Sequence, residues 1–128
     1  MRRQLKRQQG QAMVEFVLVA PILLLLVIGI VQFGILLNNY VTLTDAVRVG
    51  ARQAAVSRTN PNRVTVTTDR VRSASGNLDP DDVNVTVDST WDQGGDVTVT
   101  AEYPYSISLL GFVVKSGALT SEKTERVE

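Results

Sequence analysis

GQAMVEF, residues 10–16, sets a glycine five positions ahead of a carboxylate, and that carboxylate, Glu15, opens an apolar run unbroken from Phe16 to Val31. A charged side chain inside a membrane-spanning segment costs about 2.5–3.5 kcal/mol on insertion scales, so an acid in this position marks a functional site. Just before the glycine stand Arg2, Arg3, Lys6 and Arg7, with no acidic residue among the first ten. The block therefore reads as a basic cytoplasmic leader, residues 1–10, followed by a membrane helix. The apolar run continues to Leu37, giving a span of 22 residues from Phe16 in which Gln32 is the one strongly polar side chain. That length suffices for a hydrocarbon core of about 30 Å. A secretory signal would have an apolar region of about 7–15 residues and a small-residue cleavage site. Here the run is longer and Asn38, Asn39 and Tyr40 follow it, which argues against removal of the whole segment and release of a secreted adhesin starting near Asn38.

Charge is distributed unevenly behind a net value of zero. Residues 1–10 carry four positive charges, whereas residues 61–128 carry 6 Lys or Arg against 11 Asp or Glu, a net of −5. Basic residues flanking a span stay cytoplasmic, so the N-terminus is expected inside and the acidic domain outside. An acidic domain is also a poor partner for nucleic acid, whose phosphates need a basic surface. The chain has no Cys and no His, which removes disulfides, Cys lipidation and the usual Zn, haem and Cys or His catalysis. Without His, a Ser or Thr nucleophile would need Lys as its base, and Lys115 and Lys123 stand in no recognisable motif. The glycines form no phosphate loop, and Asp79-Pro80-Asp81-Asp82 lacks the alternation of a calcium loop, so it reads as a turn. No enzyme activity, cofactor, metal or small-molecule substrate is expected.

Beyond the span the helix is predicted to continue. Tyr40, Leu43, Val47, Ala51 and Ala54 form one narrow apolar face at spacings of three and four, and Asp45 stands one turn before Arg48. A helix from Gln11 to about Val56 would be a rod of roughly 70 Å. Pro21 removes one helical hydrogen bond and should kink the rod, which a membrane helix tolerates when neighbours satisfy the freed carbonyl. The Gln32 amide either finds a partner on another helix or bonds back to its own backbone. Asn60-Pro61 reads as a helix start and Gly76 as a stop, although Val64-Thr65-Val66-Thr67-Thr68 favours strand; a short helix over 61–75 is chosen. Val83, Val85 and Val87, then Val97, Val99, Ala101 and Tyr103, alternate with polar residues around the turn-rich Asp92-Gln93-Gly94-Gly95, the pattern of an antiparallel hairpin. A third strand over 118–127 would complete the sheet, since two strands are rarely stable alone. Trp91 is expected in the core, with an exposed aromatic as the alternative. Tyr103-Pro104-Tyr105 and Ile107–Val114 are either a subunit-contact surface or a cap on the sheet. The expected fold class is α+β: residues 11–58 as a long helix with its transmembrane segment at 16–37, and 60–128 as a small exported domain. About 70 residues make a marginal core without disulfides or metals, so the long helix or neighbouring subunits should supply support.

These motifs resemble those of the TadE-like family, pilin-related proteins of tight-adherence pilus systems. The resemblance rests on GQAMVEF at 10–16, PILLLLVIGIVQFG at 21–34 and TDAVRVGARQAA at 44–55, and it covers about Gly10 to Ala55. The pattern DVTVTAEYPYSI at 96–107, with ERVE at 125–128, is similar to longer members. The resemblance implies a pilin-like fold and a minor pilin or pseudopilin, cut by a prepilin peptidase after Gly10, the alternative for that glycine being a flexible turn. Gln11 would then carry a new α-amino group, mostly cationic at neutral pH. Glu15, followed by Phe16, would pair with that group on a neighbouring subunit, or else snorkel toward headgroups. The implied partners are the membrane, the peptidase, a major pilin and other minor pilins, an inner-membrane platform and a secretion ATPase. The protein would reside in the cytoplasmic membrane and, after assembly, in an extracellular pilus. An uncut single-pass scaffold of a pilus or secretion apparatus is the competing expectation.

Overall fold

A computed structural model describes residues 2–128, with side chains from Gly10 onward. From Arg2 to Ala55 the chain is one α-helix, α1, of 54 residues, about 80 Å long at 1.5 Å per residue. The helix thus starts earlier than the expected Gln11 and runs through Gly10. A single glycine costs a helix about 1 kcal/mol, and the Lys, Arg, Gln, Leu, Ala and Met around it are good helix formers. The helix also continues on both sides of Pro21.

Two halves of α1 have different surroundings. From Met13 to Leu37 most large apolar side chains are exposed. Beyond that, Leu43, Ala46, Val47, Ala51 and Ala54 are fully buried and form the spine of the core. Tyr40, expected on this face, is exposed instead; at its level the covered side of the helix carries Leu36, Asn39 and Thr42. The exposed face holds the expected Asp45–Arg48 ion pair, 3.3 Å across one turn.

The short helix, α2, spans Arg63–Ala74, two residues later than expected at its start. The Asn60 Oδ1 accepts the Asn62 N–H at 2.9 Å, so Asn60 shapes a turn before the helix and does not cap it. Burial decides the conflict between β-branched composition and helix, because Thr67 and Val71 point into the core. The Ser75 hydroxyl donates to the Val71 carbonyl at 2.8 Å, and Gly76 at φ 58° ends the helix in the left-handed region.

Three antiparallel strands follow in spatial order β1-β2-β3: Asn84–Ser89, Asp96–Leu109 and Phe112–Arg126. Val97, Val99 and Ala101 turn one face of β2 onto α1 and are fully buried with Val83 and Val71. The other face is polar, with Thr98 opposite Thr124 and Thr100 opposite Glu122 in hydrogen-bonded pairs. Strands β2 and β3 are longer than expected, and β3 begins at Phe112 rather than near 118. Residues 107–114 therefore do not cap the sheet; they are the end of a two-stranded ribbon, with large apolar side chains exposed at 110 and 112–114. The alternation of Tyr103, Tyr105 and Ile107 with Pro104, Ser106 and Ser108 carries the strand on. Pro104 fits there because β1 has ended at the Asn84–Glu102 pair, leaving that edge of β2 free. Tyr105 lies over Gly117 of β3, close enough that a Cβ there would touch its ring at 3.2 Å.

Residues 127–128 tie the β1–β2 turn and the end of α1 together. Val127 is buried and exchanges backbone hydrogen bonds of 2.8 Å with Gly94 and Gly95, while the Glu128 N–H reaches the Ala55 carbonyl at 3.0 Å. Trp91, at φ 61°, is neither a full core plug nor a free aromatic. It packs partly buried against the core, with the Arg63 guanidinium 4.7 Å above its ring.

Gly50 is where α2 crosses α1, and a Cβ there would overlap Val71 Cγ2. Helix propensity favours alanine by about 1 kcal/mol, but overpacking typically costs about 1–3 kcal/mol and a helical valine has one preferred rotamer. Gly50→Ala is therefore expected to lower stability by about 1 kcal/mol or more, read from urea unfolding of the full chain in detergent by Trp91 fluorescence. Adding Val71→Ala should recover part of the loss relative to Val71→Ala alone; a Gly50→Ala chain as stable as wild type would show that α2 shifts freely. Deleting Val127 and Glu128 removes a buried side chain worth about 1.5–3 kcal/mol together with the bonds that hold the β1–β2 turn. The same assay should report a loss of at least that size.

Candidate functional site: the exposed N-terminal half of helix α1

The sequence-predicted residues Gly10, Gln11, Glu15 and Phe16 lie on successive turns of one exposed helix. Gln11 and Glu15, four apart, share a face, and the Gln11 side-chain amide donates to Glu15 Oε1 at 3.3 Å. This neutral amide is the hydrogen-bond partner of the carboxylate among the described residues. No salt bridge to Glu15 occurs among them. Phe16 is 69% exposed. The side chains of Arg2, Arg3, Lys6 and Arg7, assigned to topology from sequence, lie outside the described residues.

Gly10 leaves a gap on the helix surface. Beyond the helix's own backbone, no atom of the described residues lies within 4 Å of where its Cβ would be, and Gly10, Met13, Val14, Val17 and Leu18 border a shallow apolar depression. Their spacing of three and four places them on one stripe, which is the form a second helix packs against. Pro21, lacking an N–H, leaves the Val17 carbonyl without its helical donor on this same stretch.

Gln32 behaves differently from either expectation. Its Nε2 donates to the Ser108 carbonyl of β2 at 3.1 Å, so its partner is neither another helix nor the local backbone. The contact joins residues 76 apart, and no local signal in the sequence could have announced it. Ile35, Leu36 and Asn39 of α1 meet Tyr103–Ile107 of the ribbon around the same place. A second feature that the sequence alone does not show is a charged groove between α1 and β3, where Asp45, Arg48 and Arg52 face Lys123 and Glu125. Among the described residues, no three of His, Cys, Asp and Glu converge to hold a metal ion.

What this arrangement can do is insert and associate. Gly10–Ala55 is long and apolar enough to cross a membrane by length and composition, and the most apolar window of it is not covered by the rest of the chain. A search of curated proteins and a search of solved structures each found no match. A family model described as TadE-like protein matches residues 10–52. The match begins at Gly10, takes in Glu15, Pro21 and Gln32, and stops three residues before α1 ends, so α2 and the sheet fall outside it. Over residues 10–52 the chain is accordingly similar to TadE-like protein, and that stretch lies within the one candidate membrane helix found among the described residues.

Proposed function

We propose that this chain is a minor pilin or pseudopilin of a tight-adherence, Flp-like pilus, acting in pilus assembly and adhesion. It inserts in the cytoplasmic membrane with its N-terminus inside and its acidic domain outside, and a prepilin peptidase trims it after Gly10. It then joins a major pilin and other minor pilins through an inner-membrane platform and a secretion ATPase. The observation that carries this reading is the bare forward half of α1, an apolar rod whose one acidic side chain stands a turn and a half from the glycine where the TadE-like match begins. Its role is structural: the chain is a substrate of the peptidase rather than a catalyst.

Glu15 is the residue on which assembly turns. Its hydrogen-bond partner among the described residues is neutral, and burying an unpaired charge costs several kcal/mol. Cutting after Gly10 makes Gln11 a terminal ammonium, and an incoming subunit can bring that cation to the Glu15 of its neighbour. A helix docked in the wrong register leaves both charges unpaired, so the pair fixes axial position as well as affinity. An unprocessed single-pass scaffold is the alternative. It draws support from the helical conformation of Gly10, since a peptide bond must leave a helix before a protease can cut it.

Gly10→Ala separates these readings. The open space around Gly10 lets alanine enter without disturbing the fold, so any loss of processing reports on the peptidase, which needs the close backbone approach that glycine permits. Intact mass of membrane-extracted protein should show wild type beginning at Gln11 and the variant keeping residues 1–10. A wild-type chain that also keeps them supports the scaffold. Glu15→Leu should insert and be cut normally, because removing a charge eases insertion. It should be lost from sheared filaments at least tenfold, since each 1.4 kcal/mol of pairing is a factor of ten. Assembly at wild-type levels would mean that Glu15 snorkels to headgroups and pairs with nothing.

A further inference from the structure

The end of the β2–β3 ribbon is an exposed apolar surface separate from the forward half of α1. Leu110, Phe112, Val113 and Val114 are each more than 60% exposed, and Lys115 follows them. Alternation gives a solvated strand one polar face; three consecutive apolar residues put apolar side chains on both. The register slips here as well, Ile107 pairing with Lys115 but Ser108 with Val113, so Val114 is an extra residue that re-aims the end of β3. The turn is Leu110-Gly111, with φ of 50° and 85°. Asparagine before glycine is the favoured choice in such a turn, and a left-handed leucine costs about 1–2 kcal/mol. With its side chain largely exposed, Leu110 offsets none of that by burial within the chain.

Helix α1 supplies the depth of this tip. The Gln32–Ser108 hydrogen bond pins β2 to the helix, and the ribbon runs on only one residue, Leu109, before it turns. The covered side of α1 extends through Leu36 and Gln32 to Gly29 and Ile28, so the tip lies level with about residues 28–32. A hydrocarbon core of about 30 Å takes about 20 helical residues, which Ala12–Val31 provide. Glu15 then sits one turn inside the inner edge and Gln32 at the outer edge. A ribbon deeper than this would strand its edge N–H and C=O groups in hydrocarbon at several kcal/mol each, whereas water still reaches them among headgroups.

We propose that the Leu110–Val114 tip is a second membrane contact, seated in the outer interface of the bilayer that α1 crosses. Its apolar side chains lie at the acyl boundary and the Lys115 ammonium reaches lipid phosphates. The contact rests on α1 spanning a membrane and is independent of cleavage and of the pilus. It also ends the lipid-facing span near Val31, short of Leu37.

The chain has no cysteine, so single-cysteine variants give unique labels. Phe112→Cys, Ile22→Cys and Asp92→Cys, all at exposed positions, are labelled with an environment-sensitive fluorophore. The full chain is then placed in phosphatidylcholine/phosphatidylglycerol vesicles at a high lipid-to-protein ratio. The Phe112 label should emit to the blue of the Asp92 label and show several-fold weaker quenching by aqueous iodide. It should also be quenched more by lipid nitroxides near the headgroup than by nitroxides deep in the acyl chains. The Ile22 label should show the reverse depth preference. Iodide quenching at Phe112 equal to that at Asp92 overturns the proposal. So does shielding from iodide without lipid quenching, which would mean a second copy of the chain covers the tip. An Ile22 label that lipid nitroxides do not quench removes the spanning helix, and the tip contact falls with it.

Discussion

The C-terminal half of this protein, residues 60–128, depends on one strip of α1. Leu43, Ala46, Val47, Ala51 and Ala54 are fully buried, and the sheet and α2 close over them from two sides. Residues 60–128 have no disulfide and one short helix, so their own apolar surface is too small to outweigh the conformational entropy of ordering them. Alanine and glycine dominate the later turns of the strip, which brings backbones close. At Gly50 there is no room for even a methyl group beside Val71. Residues 60–128 are therefore built onto α1 and have no separate core of their own.

That shared helix explains a division along its length. Its forward half carries exposed aliphatic side chains and one acid, and its rear half carries small residues under a sheet. The TadE-like match covers the join between the two, from Gly10 to Arg52. Within that stretch the helix passes from exposed aliphatic side chains to the buried strip. The polar open face, with its Thr98–Thr124 and Thr100–Glu122 pairs, lies outside the match.

Local patterns in the sequence were enough to find the elements but not their reach. Hydropathy marks the span, the spacing of Leu43, Val47, Ala51 and Ala54 marks the buried strip, and alternating valines mark β1 and the start of β2. These are period signals carried within single segments. Tyr40 was misplaced because spacing alone does not say where a covering element stops. Phe112, Val113 and Val114 do not alternate and Gly117 interrupts the run, so no period signal marks the start of β3 at Phe112. That glycine is accommodated by the Tyr105 ring across the ribbon. For the candidate site, the Gly10 to Glu15 spacing was legible and the Gln11–Glu15 bond follows from helix geometry. The role of Gln32 was not, because its partner is a backbone carbonyl 76 residues away.

The lock formed by Val127 and Glu128 has a kinetic side. The buried strip on α1 is synthesised early, but the pieces that cover it come later, and the bonds from Val127 to Gly94 and Gly95 and from Glu128 to Ala55 join segments far apart in the chain. Contacts of this kind form only after the intervening loop has been closed, which makes folding slow relative to local helix formation. The helix, whose bonds are all local, forms first, and the strands dock on it afterwards. Residues 60–128 then stay unfolded until β3 has paired with β2. During that interval the apolar strip and the β-rich segment are open to chaperones and proteases, so the time β3 takes to dock bears on how much protein folds.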